Sequence, residues 1–178
     1  MKKLALAALT ALTLSATPVL AQETADFSGP SATVITGYDV VDLNTPGVKN
    51  PDGVIYGIGL GYDIQKGRTV FGIEAEVADS LAKLKAGAAT VAETGRDLYI
   101  GGRIGVVTGQ TLLYAKAGYT NARIRSPFGT ADADGIRAGV GAEVKLTDSI
   151  FGKAEYRYSN YEAGVERHQG VLGLGVRF

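Results

Sequence analysis

From Val54 onward the chain alternates between apolar and small or polar residues with a period of two. Val54, Tyr56, Ile58, Leu60, Tyr62 and Ile64 fall on one parity, and Ile55, Gly57, Gly59, Gly61, Asp63 and Gln65 on the other. A helix repeats every 3.6 residues and cannot hold such a pattern on two faces, so this is a long β-strand. The pattern restarts after Lys66-Gly67-Arg68, with Phe71, Ile73, Ala75 and Val77 opposite Gly72, Glu74 and Glu76. It returns in 98–107, 112–120, 136–146, 150–158 and 168–178. The stretch 31–41 supplies a first strand of less certain parity, with Val34, Thr36 and Tyr38 on one side.

The expected architecture is therefore all-β, with eight antiparallel strands in up-and-down order. Connections after strands two, four and six are tight, at Lys66-Gly67-Arg68, Thr108-Gly109-Gln110 and Thr147-Asp148-Ser149. Those after strands one, three, five and seven are longer, at about 42–53, 79–96, 121–134 and 159–167. Long loops on one rim and short turns on the other are the form of a transmembrane β-barrel of the outer-membrane type.

Alternation alone does not say which face is inside. A soluble barrel would put the apolar face inward. Here the polar face is rich in glycine as well as charge, whereas an exposed strand face favours β-branched residues. Inside a narrow barrel, glycine makes room for long basic side chains. The strands are about 9–12 residues, the length a tilted membrane strand needs. Aromatic residues on the apolar parity lie near strand ends: Tyr38, Tyr56, Tyr62, Phe71, Tyr119, Tyr158 and Phe178. These are girdle positions. The apolar face is thus expected to meet lipid and the polar face the lumen.

Composition narrows the function. Lys+Arg and Asp+Glu are both 18, with no basic excess for a nucleic-acid surface. With Cys 0 there is no disulfide framework, thiolate metal site or cysteine nucleophile. His 1 excludes a multi-histidine metal centre. Residues 1–21 read as a cleavable signal peptide: Lys2 and Lys3, an apolar run from Leu4 to Leu14, then Val19-Leu20-Ala21 before Gln22. That leaves 22–178 as one barrel domain, and no later segment is long and apolar enough for a membrane helix.

The lumen parity collects Glu74, Glu76, Glu143 and Glu155 against Arg103, Lys116, Arg137, Lys145, Lys153, Arg157 and Arg177. Eight strands enclose a space that side chains fill. Buried charges cost several kcal/mol each unless paired. The expectation is a salt-bridge network that plugs the barrel. Seven bases against four acids require further acids such as Asp63, or retained water.

The stretches DLYIGGRIGVV (97–107), LLYAKAGYTNARI (112–124), FGKAEYRYSNYE (151–162) and RHQGVLGLGVRF (167–178) resemble the small outer-membrane β-barrel proteins of alphaproteobacteria, the porin-family or opacity-like group. These are related in fold to the OmpA transmembrane domain and OmpX. The resemblance covers nearly all of the chain after the leader and is thinnest in the long loops, including 79–94. It implies an eight-stranded barrel in the Gram-negative outer membrane. It also implies handling by periplasmic chaperones and by the barrel assembly machinery, which would recognise the last strand ending in Phe178. It implies no reaction and no cofactor. With no peptidoglycan-binding domain after Phe178, wall tethering is not expected.

Other motifs carry less. His168 has no serine two residues away as in some barrel enzymes that act on lipid A, although Ser159 on the neighbouring strand is a candidate; an interfacial or loop-packing histidine is the simpler reading. Thr130 to Gly135 (TADADG) fails the EF-hand pattern, which needs Asp first and Glu twelfth. Paired Glu74 and Glu76 share a face, but so do basic partners. Lys83, Lys85, Arg123 and Arg125 could pair with lipopolysaccharide phosphates or be ordinary loop charges. Sequence reasoning thus favours a monomeric, non-enzymatic structural protein that supports envelope integrity and presents loops at the surface, amid outer-membrane lipid and lipopolysaccharide. The alternatives are a narrow pore for ions or small solutes and a surface adhesin or receptor.

Overall fold

The computed structural model describes residues 25–42, 50–81, 83–86, 89–126 and 129–178. The leader reading, 1–21, lies outside the described residues, as does 43–49 of the first long connection. The strands are β1 (Gly29–Asp42), β2 (Asp52–Lys66), β3 (Thr69–Ser80), β4 (Lys83–Ala86), β5 (Ala89–Thr108), β6 (Thr111–Ser126), β7 (Gly129–Lys145), β8 (Ile150–Tyr161) and β9 (Glu166–Arg177). One 3-10 turn, Glu162–Gly164, precedes β9.

Eight long antiparallel strands close into a barrel. Sequential neighbours pair around the wall, and β3 pairs directly with β5 from Thr69↔Val106 to Ala78↔Asp97. The first and last strands close the seam, from Ser31↔Arg177 to Asp42↔Glu166. Among the described residues closure leaves no unpaired edge around the wall. The short turns have a simple cause at two sites. Gly67 and Gly109 adopt positive φ of 61° and 59°, which glycine enters without a Cβ clash.

Two long connections are not loops over most of their length. The stretch 79–96 holds the end of β3, the short strand β4 and the first residues of β5. The stretch 121–134 is the continuation of β6 and the start of β7, paired from Asn121↔Asp134 to Ser126↔Gly129. Their residues are mostly small or polar, and Leu81, Leu84, Val91, Ile124 and Phe128 are too scattered to mark an apolar parity, so the sequence pattern ended where the apolar belt ends. The backbone ladder runs on. Because β7 pairs with β8 only from Gly135, the segment Gly129–Asp134 stands beyond the wall.

Burial inverts the pattern of a soluble barrel. Outward-facing Leu60 is 65% exposed and Ile136 is 70% exposed, with Ile58, Ile73, Ile100 and Leu172 comparable. The inward parity holds arginines and carboxylates that are fully buried. On β2 the outward apolar run from Val54 to Ile64 covers ten steps. At roughly 3.3 Å per step and a tilt of about 40°, that is a belt about 25 Å tall, the height of a barrel's lipid-facing band. The aromatic residues Tyr38, Tyr56, Tyr62, Phe71, Tyr119 and Phe178 all lie on this outer face.

Candidate functional site

Every second residue of each strand points into the lumen, so charges distant in sequence meet at one height. They sort into three layers. Glycine provides the space: a Cβ at Gly141 would lie 2.7 Å from the Tyr114 ring, and one at Gly173 would lie 2.8 Å from Lys153.

The lower layer, nearest the short turns, contains Asp63, Glu143, Arg103 and Arg177. Arg103 donates from Nε and Nη2 to the two oxygens of Asp63, at 2.8 and 2.5 Å, and from Nη1 to Glu143 at 2.5 Å. Arg177 bridges the same two acids, at 2.6 Å to Asp63 and 2.9 Å to Glu143.

The middle layer contains Glu74, Glu76, Glu155, Lys116, Lys153 and Arg157. Glu155 is the hub. It pairs with Lys116 at 2.8 Å, with Lys153 at 3.4 Å and with Arg157, and it accepts from the Tyr114 hydroxyl at 2.6 Å. Arg157 also makes a two-pronged contact with Glu76 at 2.5 and 2.7 Å, and Lys116 donates to Glu74. Arg103 reaches Glu74 at 3.8 Å and ties the lower layer to the middle one.

The upper layer contains Asp39, Asp97, Arg137 and Arg167. Arg167 holds Asp39 through Nε and Nη2 at 2.7 and 2.5 Å and Asp97 at 2.9 Å. Arg137 donates to Asp97 at 2.6 Å and to the Ser159 hydroxyl at 2.8 Å. The Ser80 and Thr120 hydroxyls donate to Asp39 and Asp97. An apolar cluster of Ile35, Ile55, Ala78 and Val171 lies beside the junction with the middle layer. Tyr99 spans that junction, its ring centre 4.5 Å from Lys116 Nζ and 5.5 Å from the Arg137 guanidinium.

Among the described residues each layer is neutral, with two, three and two acids matched by equal numbers of bases. This is what burial demands, because a buried ion is tolerated only with a well-placed partner and further hydrogen bonds. Between the lower and middle layers a cavity of about 10 Å³ remains, lined by Ser31, Thr33, Glu74, Glu76 and Lys153. That is room for about one water molecule.

Ten of the eleven lumen charges expected from the sequence take part. Lys145 does not: it lies at the rim end of β7, where its Nζ sits 5.8 Å from the centre of the Phe27 ring. Asp39, Asp97 and Arg167 are additional members, and Asp63 supplies one of the acids the sequence lacked. Asp97 and Arg167 stood one residue outside the expected strands, and Asp39 lay on the strand of uncertain parity. Glu74 and Glu76 are held by Lys116 and Arg157, in ion pairs rather than a proton-transfer arrangement.

His168 and Ser159 are on opposite faces of the wall. Ser159 faces the lumen against Arg137, whereas His168 Nδ1 lies 2.7 Å from the Tyr156 hydroxyl on the outer face, with the Tyr158 ring 5.1 Å away. The acidic TADADG stretch forms strand and not loop. Asp132 pairs with Arg123 at 2.8 Å, and the Arg123 hydrogen bond holds its carboxyl below the usual carboxylate range. Asp134 accepts from Asn121 at 2.7 Å and from Tyr119. Arg123 is therefore engaged within the protein, and the side chains of Lys83, Lys85 and Arg125 lie outside the described residues.

A closed antiparallel barrel with an apolar belt outside and neutral layers of ions inside is an integral membrane β-barrel protein. The chain matches the family Outer membrane protein beta-barrel domain over residues 5–178, and it belongs to that family. It is 30% identical over 146 residues to the 25 kDa outer-membrane immunogenic protein of Brucella ovis, covering 80% of this chain and 72% of that one. It is 28% identical over 143 residues to the 22 kDa outer membrane protein of Rhizobium leguminosarum bv. viciae, covering 69% and 67%. In fold it is similar to Neisserial surface protein A, with a TM-score of 0.60 at 16% identity over 85% of this chain and 98% of that one. The protein resides in the cell outer membrane.

Proposed function

We propose that the protein is a monomeric, non-enzymatic structural element of the outer membrane, closed to solute flow, that supports envelope integrity and presents its strand extensions at the cell surface. The observation that carries this reading is the layer-by-layer neutrality of the lumen among the described residues, with a cavity of only about 10 Å³ between its lower and middle layers. A transport path would need a continuous wet gap through the three layers. On this reading its surroundings are outer-membrane lipid and lipopolysaccharide. During biogenesis it is handled by periplasmic chaperones and by the barrel assembly machinery, which recognises Phe178, exposed at the end of β9 with its N–H bonded to the Pro30 carbonyl at 2.9 Å.

A surface role is favoured by the continuation of β5, β6 and β7 past the apolar belt. The name of the Brucella relative, an immunogenic protein, agrees with surface exposure of that protein. One complementation experiment separates the readings. Cells lacking the protein are expected to become sensitive to anionic detergent. Resistance should return with the full chain and also with a barrel in which 82–95 and 122–133 are replaced by short turns. Rescue by the full chain alone would assign the role to the surface extensions, and an unchanged deletion strain would contradict the envelope role. The lipid A mass spectrum should be the same in all strains.

A further inference from the structure

The segment before the first strand does not hang free of the barrel. It crosses beneath the lumen from the β1–β9 seam to the opposite wall. Ala25 N–H bonds the Gly109 carbonyl, in the turn between β5 and β6, at 3.2 Å. Phe27 N–H donates to Gln65 Oε1 at 2.8 Å, and Gln65 Nε2 returns a bond to the Ala25 carbonyl at 3.2 Å. Arg177 Nη1 donates to the Phe27 carbonyl at 2.6 Å. Ser28 N–H closes a local turn on Asp26 at 2.8 Å.

The Phe27 side chain is 0% exposed although it precedes the first strand. It packs against Val70, Val107, Leu112 and Tyr114, the inward residues at the short-turn end of β3, β5 and β6. The Arg177 guanidinium lies 5.6 Å from its ring centre, and Lys145 lies over the same ring. Phe27 thus sits directly below the lower charge layer, with apolar residues around its edge and cations toward its face, an arrangement the ring quadrupole favours. Without it, Val70, Val107 and Leu112 would face the aqueous mouth. Water would then reach the Arg103–Asp63–Arg177–Glu143 group, whose mutual attraction weakens as the local dielectric rises.

We propose that Ala25–Ser28 is a strap that closes the periplasmic mouth of the barrel, with Phe27 as its stopper and Gln65 and Arg177 as its latches. The strap isolates the lower charge layer from periplasmic water and joins the segment before β1 to the last strand. Short turns of such barrels face the periplasm, which places this mouth there. The proposal rests on the closed-lumen reading above, and the two fail separately: a steady conductance overturns the closed lumen, whereas labelling at the short-turn mouth that does not depend on Phe27 overturns the strap.

The chain has Cys 0, so a single introduced thiol reports cleanly. Val107→Cys, at a buried position against Phe27, is compared in the full-length folded protein with Asp148→Cys on an exposed turn. The probe is a small water-soluble maleimide. With Phe27 present, Val107→Cys should react at least about tenfold more slowly than Asp148→Cys, because modification must await a local opening. Adding Phe27→Ala should bring the two rates within about twofold, and Gln65→Ala, which leaves the ring but removes its latch, should fall between. Retention of the heat-dependent gel shift shows that the wall is intact. If Phe27→Ala does not fold, the Gln65→Ala pair decides the matter. Fast labelling with Phe27 in place, or continued protection in both folded variants, would overturn the strap.

Discussion

Glu155→Ala is expected to destabilise the folded barrel by about 3–5 kcal/mol, the range for removing one partner of a buried ion pair. The size follows from geometry. Glu155 faces three cations and a tyrosine hydroxyl at one point of the lumen, and its side chain is completely buried. Removing it leaves Lys116, Lys153 and Arg157 against Glu74 and Glu76 alone, an excess positive charge enclosed by lipid. The check is urea unfolding in lipid vesicles, followed by the fraction that keeps the unheated gel mobility. A second variant separates charge from packing. Glu155→Gln combined with Lys153→Met restores the layer's neutrality and should recover at least about 1 kcal/mol relative to Glu155→Gln alone, as coupled sites do. A loss below about 1 kcal/mol for Glu155→Ala would mean that the middle layer is hydrated in the folded protein.

Leu60→Arg should be costly for the opposite reason. Leu60 is 65% exposed, midway along the outer face of β2 between Tyr56 and Tyr62. On a water-facing surface such a change alters stability by roughly 0.5 kcal/mol or less. At the middle of a bilayer, arginine on a barrel's lipid face costs about 2–4 kcal/mol, falling toward zero near the interfaces. The same substitution at Leu146, exposed just past the short-turn end of β7, should be nearly neutral. Measured in one vesicle system, the pair reports which face meets lipid. Equal, small effects at both positions would contradict the inverted arrangement.

The wall of this barrel was legible because its physics is local. Period-two alternation follows from strand geometry at each residue, so Val54 to Ile64 declares its two faces without any partner. The lumen list was legible in kind for the same reason: Arg103, Lys116, Arg137, Glu143 and Arg157 all sit within strongly alternating runs. Its balance was not. Asp97 and Arg167 lie just beyond the apolar belt, where alternation of apolar residues stops but inward pointing does not. Only the register, Arg137 on β7 reaching Asp97 on β5, shows that they belong to the core. Lys145 failed in the converse way. It has the right parity but sits at the end of its strand, over Phe27 and outside the ion pairs of the three layers. Phe27 itself could not be found from pattern, because one aromatic residue before the first strand carries no periodicity. Its burial depends on a chain crossing that brings residue 27 to residues 70, 107 and 112. The extension of β5, β6 and β7 was hidden for a related reason, since ladder hydrogen bonds leave no mark on side-chain type.

The central claim is that charge neutrality within each layer closes the lumen. Single-channel recording after insertion of the purified, folded protein into a planar lipid bilayer tests it most directly. The neutral layers predict insertions with no steady open level at any applied voltage. A steady, large and reproducible conductance step in most insertions would contradict the closed lumen and assign the protein to the pores.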